Sequence, residues 1–467
     1  MAVSEPNHSL PEAYRTVKVN QRNWFRRFLA FAGPGYLVSV GYMDPGNWAT
    51  ALGGGSTFGY TLLWVILCSS LMAMVLQTLC ARLGIATGKD LAQACRDYVK
   101  RPAAMALWLL CEIAIISTDI AEVIGSAVAL NLLFGLNLSA GVLITGLDVL
   151  VLLALMRFGF RKIEAIIFTL VATIFVCFGI NIFWASPDWM LVGKGLVTPQ
   201  VQNNQALFLA VGILGATVMP HNLYLHSSLV QTRAFDKTEE GKKDAIKNAS
   251  VDVILALTAA FFVNAAILVL AAAVFHRQGV VVEDLGEAHK LLVPALGPAA
   301  ATLFAVALLA SGQSSTITGT LAGQIVMEGF LNWRIEPWLR RLITRGLAII
   351  PALLLVGSSG GSKTAELITI TQVVLSMQLP FAIFPLVMFT SDKKRMGSFA
   401  SPVWLQVLAY AICVAITSLN IKYLWDTFGP VAVLVGAGII AAFSAWVIFF
   451  VKSKKPDEPE LITQPQG

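Results

Sequence analysis

Four residues, Asp44-Pro45-Gly46-Asn47, interrupt an apolar run that extends from about residue 28 to 53. In a water-soluble chain this tetrapeptide reads as a surface turn. Here hydrophobic residues make up 57% of the 467 and charged residues 13%, with a mean hydropathy of +0.73. Soluble domains are roughly half apolar and a quarter charged, so the chain reads as an all-α polytopic membrane protein. A carboxylate and a broken backbone must then exist at the depth of lipid. They are tolerated there only when buried in protein or facing a wet cavity.

Apolar runs of roughly 20 residues recur twelve times, at about 28–53, 59–83, 104–132, 140–156, 163–185, 206–230, 250–274, 298–327, 338–356, 364–390, 402–420 and 428–451. The connections are short, which leaves no room for a separate soluble domain. Of the Lys and Arg outside these runs, 24 fall on one side and five (Lys194, Arg277, Lys290, Lys363 and Lys422) on the other. The richer side marks the cytoplasm, so the tails at 1–27 and 452–467 are both expected there. The first 27 residues lack an apolar stretch, and no cleavable signal is expected. Six cysteines without a CxxC pair read as small buried hydrophobes rather than as a disulfide or zinc framework.

A second break lies in the sixth run, at Gly212-Ile-Leu-Gly-Ala-Thr-Val-Met-Pro-His-Asn222. Corresponding interruptions five spans apart are the mark of inverted structural repeats, here 28–185 against 206–390, with 402–451 peripheral. Proline removes a backbone donor and frees carbonyls of the preceding turn. In a cavity those carbonyls can replace water around a cation.

The candidate ligands are Asp44 (a hard anionic oxygen), Asn47 (a neutral one), Met219 (a thioether) and the backbone carbonyls near Gly41 and Ala216. All-oxygen shells suit Mg²⁺ and Ca²⁺, whereas sulfur favours softer transition metals. The mixed set fits Mn²⁺, Fe²⁺, Co²⁺ or Cd²⁺ and not a structural zinc site. Packing is the usual role of a methionine in such a helix, a kink that of a proline, and Asn47 alone can cap a half-helix. An intramembrane carboxylate is harder to explain away.

Glu112, Asp119 and Glu122 on the third run are spaced seven and three apart and so share one helical face. Such a face must point inward, and neighbouring acids in a low dielectric suit proton uptake and release. Arg340, Arg341 and Arg345 open the ninth run on the cytoplasmic side, where Arg340 and Arg341 also read as positive anchors. His221, after Pro220, can be a ligand or a proton carrier, whereas His226 reads as structural. Asp148 is unexplained, Asp252 is expected near the cytoplasmic interface, and Gly53-Gly54-Gly55 are expected to let the first helix turn tightly into the second.

At these residues the chain resembles the natural resistance-associated macrophage protein (Nramp) family. "DPGN" at 44–47 and "MPHN" at 219–222 match its paired signatures. "TDIAEVIGSA" at 118–127, "SGQSSTITGTLAGQIVMEGF" at 311–330 and "SMQLPFA" at 376–382 match three further patterns. The resemblance spans the chain from about residue 28 onward. It implies a LeuT-like fold and H⁺-coupled uptake of Mn²⁺ or Fe²⁺ by alternating access, with tolerance for Co²⁺ and Cd²⁺. It also implies metal ligation by Asp44, Asn47, Met219 and the carbonyls of Gly41 and Ala216, with Gln372 joining in one state. Asp119, Glu122, Arg340 and Arg341 become a polar route to the cytoplasm, and His221 a residue that tunes proton coupling without ligating. One departure is Gly41, where the family pattern has Ala. Met219 argues against the magnesium-transporting branch.

The implied protein is no enzyme, has no resident cofactor and no nucleic-acid partner, and works as a monomer in a bacterial inner membrane. A LeuT-like carrier of amino acids would place half-helix N-termini at a substrate carboxylate, which Asp44 would repel. A metal channel would need neither two broken helices nor a ladder of acids.

Overall fold

Prolines open both halves of the first span. In the computed structural model, α1 (Pro34–Gly41) and α2 (Pro45–Phe58) each begin on a proline, the position where a missing N–H costs nothing. The described residues are 9–11, 13–19, 28, 30–147, 160–282, 284–333, 337–359 and 364–450. The first half continues with α3 (Leu63–Thr87), the short α4 (Leu91–Tyr98), α5 (Arg101–Phe134), α6 (Leu138–Thr145), α7 (Phe160–Ala185) and the short α8 (Trp189–Val197). The second half repeats the theme. A helix broken at Met219 makes α9 (Asn204–Val218) and α10 (Pro220–Leu229), followed by α11 (Glu239–Val274), α12 (Leu285–Leu296), α13 (Pro298–Leu331), α14 (Pro337–Ser359), α15 (Thr364–Ser391) and α16 (Val403–Phe450).

Eight of the described helical stretches are long and apolar enough to cross a membrane. The broken first span and α14 add to these, and α16 is two arms. Gly429 inside it has φ 80°, ψ 167° and is followed by Pro430, so residues 403–428 and 430–450 are separate helices. Each arm matches a hydrocarbon layer of ~30 Å at ~1.5 Å per residue. The fourth run enters through α6, and its remainder, with Asp148, lies outside the described residues. The architecture is thus the expected all-helical one, with broken first and sixth helices. The sixth span is buried almost throughout and α16 is largely exposed, so the broken helices are the core and α16 the periphery.

Some boundaries differ from the apolar runs. α11 begins at Glu239 rather than near 250 because Thr238 accepts the Gly241 N–H and two glutamates occupy the first turn, both favourable at a helix N-terminus. The glycine triplet does not form the turn into α3; that turn is at Gly59, with φ 59°. Residues 53–55 are interior to α2, and a methyl on Gly55 would come within 2.4 Å of the Leu268 carbonyl, so the triplet lets α2 lie against α11. Trp48 fixes α2 from the other side, edge-on to Phe178 at 4.8 Å and Phe304 at 5.1 Å. All six cysteines are free, five of them buried.

The inner end of α1 is held from outside itself. Gly33, at φ 153°, offers no side chain, so Asp252 on α11 accepts the Gly33 and Gly35 N–H groups at 3.3 and 2.7 Å. Asp252 is therefore a buried cap on another helix, at the end of α1 expected to face the cytoplasm. Arg233 donates to the carbonyls of Phe31 and Ala32 and pairs with Glu164 of α7 at 2.7 Å. A two-residue parallel pairing, Val17 with Arg233 and Lys18 with Ala234, straps the N-terminal segment to the same place.

Candidate metal centre

The Asp44-Pro45-Gly46-Asn47 break is a helix N-terminus turned inward. α1 stops after Gly41, Pro45 cannot continue it, and Asp44 caps α2 by accepting the Asn47 N–H on Oδ1 at 2.8 Å. Asp44, not Asn47, is the cap. Only Oδ1 is used in this way: Oδ2 is buried and has no hydrogen-bond partner. A buried, partnerless carboxylate oxygen is costly unless something cationic is meant to meet it.

The Asn47 carboxamide knits the two breaks together. Its Nδ2 lies 2.7 Å from Asp44 Oδ1, 2.9 Å from the Ala216 carbonyl and 3.3 Å from the Gly41 carbonyl. An electropositive amide group thus already sits among three oxygens, where a cation would. Asn47 Oδ1 accepts from Asn264 Nδ2 at 3.1 Å and from Thr217 Oγ1 at 3.5 Å. Rotation of the carboxamide would exchange these roles and aim an oxygen at the same point.

Met219 supplies the sulfur. Its φ of 40° and ψ of 106°, rare for a residue with a side chain, place it between α9 and α10 with Pro220 opening the next helix. It is fully buried beside Ala114 of α5 and Leu375 of α15. Its Sδ takes the Asn222 Nδ2 at 3.4 Å, and a methyl on Gly41 would reach within 3.1 Å of that sulfur. The same methyl would come within 2.2 Å of Asn222 Nδ2, so glycine at 41 makes room for Asn222. Gln372 on α15 abuts Gly46, where a methyl would meet its Nε2 at 2.2 Å, and its Oε1 has no partner.

Asp44, Asn47, Met219, Gln372 and the Gly41 and Ala216 carbonyls are therefore brought together around the two helix breaks. Among the described residues no group of three or more His, Cys, Asp or Glu gathers. The donor set is one carboxylate, amide and backbone oxygens, and a thioether, which is chemistry for a divalent ion of intermediate softness.

A polar route leads away along α5. Asp119 and Glu122 are buried and lie 3.8 and 3.6 Å from Arg345 Nη1. Thr316 of α13 relays between them, accepting from Arg345 Nη2 at 2.7 Å and donating to Glu122 Oε2 at 3.0 Å. His221 is buried within the field of Asp119, and its Nδ1 has no partner. Glu112 is half-buried further along the same face and accepts the Trp108 indole N–H at 3.1 Å. The side chains of Arg340 and Arg341 lie outside the described residues. Among the described residues the arginine that meets both acids is Arg345, one turn further into the ninth span. His226 is structural, with Nδ1 3.1 Å from Gln77 Oε1, while Gln77 donates to the Tyr42 hydroxyl.

Two helices broken at mid-membrane around a cation-suited point, with a buried acid–arginine route beside it, define a membrane protein of the LeuT-like, broken-helix class. The natural resistance-associated macrophage protein-like (Nramp) family model matches residues 35–426, and the chain belongs to that family. It is 58% identical to a protein named divalent metal cation transporter MntH from Agrobacterium fabrum, over 90% of this chain and 92% of that one. A protein of the same name from Nostoc is 56% identical over 90% and 96% of the two chains. Among solved structures, the Eremococcus coleocola manganese transporter superposes with a TM-score of 0.87 at 40% identity, covering 95% of this chain and 98% of that one. Mhp1, a nucleobase-cation-symport-1 family transporter, shares the fold alone, with a TM-score of 0.57 at 15% identity and coverage of 95% and 97%.

Proposed function

We propose that this protein is a secondary active transporter that carries Mn²⁺ or Fe²⁺, and also Co²⁺ and Cd²⁺, into the cytoplasm together with H⁺ by alternating access. Its relatives' names support divalent metal transport. The observation that carries the reading is Asp44 Oδ2, a buried carboxylate oxygen without a partner, beside the Gly41 and Ala216 carbonyls and the Met219 sulfur.

The mechanism follows from the ligands. The substrate ion replaces the Asn47 amide hydrogens among the three oxygens, and the carboxamide turns its oxygen inward. Met219 adds sulfur, and Gln372 closes over the ion as α15 approaches. A carboxylate that binds metal must give up its proton. That proton passes by way of His221 to Asp119 and Glu122 and on past Glu112 to the cytoplasm, with Arg345, Arg340 and Arg341 as fixed positive charges that steady the acids along the route. The inner closure is the Asp252 cap and the Arg233–Glu164 pair, which must release α1 for the ion to leave.

We assign 28–185 and 206–390 as the inverted repeats. The protein works as a monomer in the bacterial inner membrane with both termini cytoplasmic, in line with the loop charges. The test is uptake into proteoliposomes of purified protein. Asp44→Ala abolishes Mn²⁺ entry, and near-normal entry would remove the carboxylate from the site. Uptake that ignores an imposed proton gradient would overturn the coupling.

A further inference from the structure

The outer end of the molecule carries a second site. α8, between the fifth and sixth spans, separates two cavities. Trp189, Val192, Gly193 and Leu196 face one of about 500 Å³, and Leu191, Lys194, Gly195 and Thr198 face another of about 660 Å³. Both sets repeat at helical spacing, so these are two faces of one short helix. Its position is fixed: Asp188 Oδ1 accepts the Met190 and Leu191 N–H groups, and a methyl on Gly195 would come within 2.3 Å of the Tyr60 carbonyl.

The two cavities differ in chemistry. The first is walled by aromatic and aliphatic side chains such as Phe178 and Phe261, with Gly179 and Gly193 leaving open space above their backbones. The second is the more polar of the two and is lined by Lys194, Arg277 and His276. Two of the five cations on the sparsely charged side of the chain converge there. Among the described residues neither Lys194 nor Arg277 has an ion-pair partner, and the one acid in the cavity, Asp188, already serves the N–H groups of α8. The cavities follow one another along a single stripe of α11, with Ala265, Ala266 and Val269 in the first and Ala272 and Ala273, then His276 just past its end, in the second.

We propose that this pair of cavities is a binding site for one acidic phospholipid of the outer leaflet, its phosphate between Lys194 and Arg277 and an acyl chain in the groove floored by Gly179 and Gly193. Basic pockets between membrane helices recognise anionic headgroups by charge, and Arg or Lys with phosphate forms charge-assisted hydrogen bonds. Lone lysines at such positions commonly do no more than reach for water. What sets this one apart is a second cation in the same cavity and an apolar groove on the other face of α8, the two cavities joined along α11. A free anion would have no use for that groove. The site touches neither Asp44 nor the acid route, so it stands or falls independently of the transported ion.

Native mass spectrometry of the full-length protein tests this. Purified protein is titrated with dioleoyl phosphatidylglycerol, with the matching phosphatidylethanolamine, and with water-soluble glycerophosphoglycerol. The wild type retains one phosphatidylglycerol at roughly tenfold lower concentration than phosphatidylethanolamine. Lys194→Gln with Arg277→Gln removes that preference. Gly193→Trp, at a position where a Cβ meets nothing within 4 Å, fills the groove and weakens the tight adduct with both cations intact. A preference that survives both variants would reduce the adduct to general lipid contact. Equal binding of glycerophosphoglycerol would make the cavity an anion site and overturn the lipid assignment.

Discussion

Asn47 Nδ2 and the Ala216 carbonyl oxygen are 2.9 Å apart, a hydrogen bond that joins the first broken helix to the sixth across 169 residues. The carboxamide can make this bond only in the orientation set by what lies behind it, where Asn264 of α11 donates to its oxygen at 3.1 Å.

Asn264 is therefore expected to control how readily the carboxamide turns to meet an ion. Outer-sphere groups of this kind change metal affinity by roughly 10–100-fold. Asn264→Leu is expected to weaken Mn²⁺ binding within that range in calorimetric titrations, with the thermal transition close to wild type. An unchanged Kd would show that Asn47 orients itself.

Met219 distinguishes soft ions from hard ones. Met219→Ala removes the sulfur and leaves a cavity against Ala114 and Leu375. Stability falls by about 2–5 kcal/mol, as for buried large-to-small changes. Cd²⁺ binding weakens by about tenfold or more, Mn²⁺ binding weakens less, and Ca²⁺ and Mg²⁺ begin to compete. Unchanged competition in proteoliposome uptake would remove sulfur from the selectivity argument.

Glu122 lies in the Arg345–Thr316 cluster. Glu122→Gln keeps the shape and the acceptor for Thr316 while removing the titratable charge. Mn²⁺ affinity is expected to stay within about threefold, as for separated sites. Proton entry, followed with an internal pH dye, falls much further. Equal loss of both would argue against a proton route distinct from the metal site.

What could be read from the chain alone was whatever violated a local rule. Asp44 stands out because a carboxylate at the depth of lipid is costly, and Pro45, Met219 and Pro220 because the break they make recurs five spans later and names the architecture. Asp119 and Glu122 stand out for the same reason as Asp44. Asn264, Thr316 and Arg345 were not singled out as functional, because one amide or hydroxyl in an apolar helix reads as packing and Arg345 reads like the anchors beside it. Their roles depend on which helices become neighbours, as does the capping of α1 by Asp252, 217 residues away. α8 and α12 escaped because 9 and 12 residues are too few to register as spans.

Glu164 and Arg233 tie down the Pro34 end of α1, the end that the proposed orientation places at the cytoplasm. Both are 1% exposed, and removing one partner of a buried pair costs about 3–5 kcal/mol. Glu164→Gln is expected to free α1 at its inner end. A cysteine introduced as Ala32→Cys should then react with an impermeant thiol reagent from the cytoplasmic side at least about tenfold faster than in the parent. Equal rates would mean that α1 stays in place without the Glu164 charge, held by Asp252 and the arginine contacts to the backbone before it.

Asp90 gives the fold a pH dependence outside the membrane spans. It caps α4 by accepting the Gln93 N–H and takes the Ser9 hydroxyl at 2.5 Å, which anchors the N-terminal segment. Burial pushes its carboxyl up from 3.8 to about 6, with the hydrogen bonds from Ser9 and Gln93 pulling the other way. A carboxyl raised in the folded state binds more protons there than when unfolded. Its penalty is present in full above pH of about 6 and fades as the pH falls through 6 towards 4, so this group makes the protein more stable on mild acidification. Asp90→Asn keeps the cap without the charge. The variant should gain on the wild type by at most about 3 kcal/mol at neutral pH, and the gain should vanish near pH 4. Melting curves of both proteins across that interval check the sign, and a difference that does not vary with pH would show that the buried carboxylate is ionised at no cost.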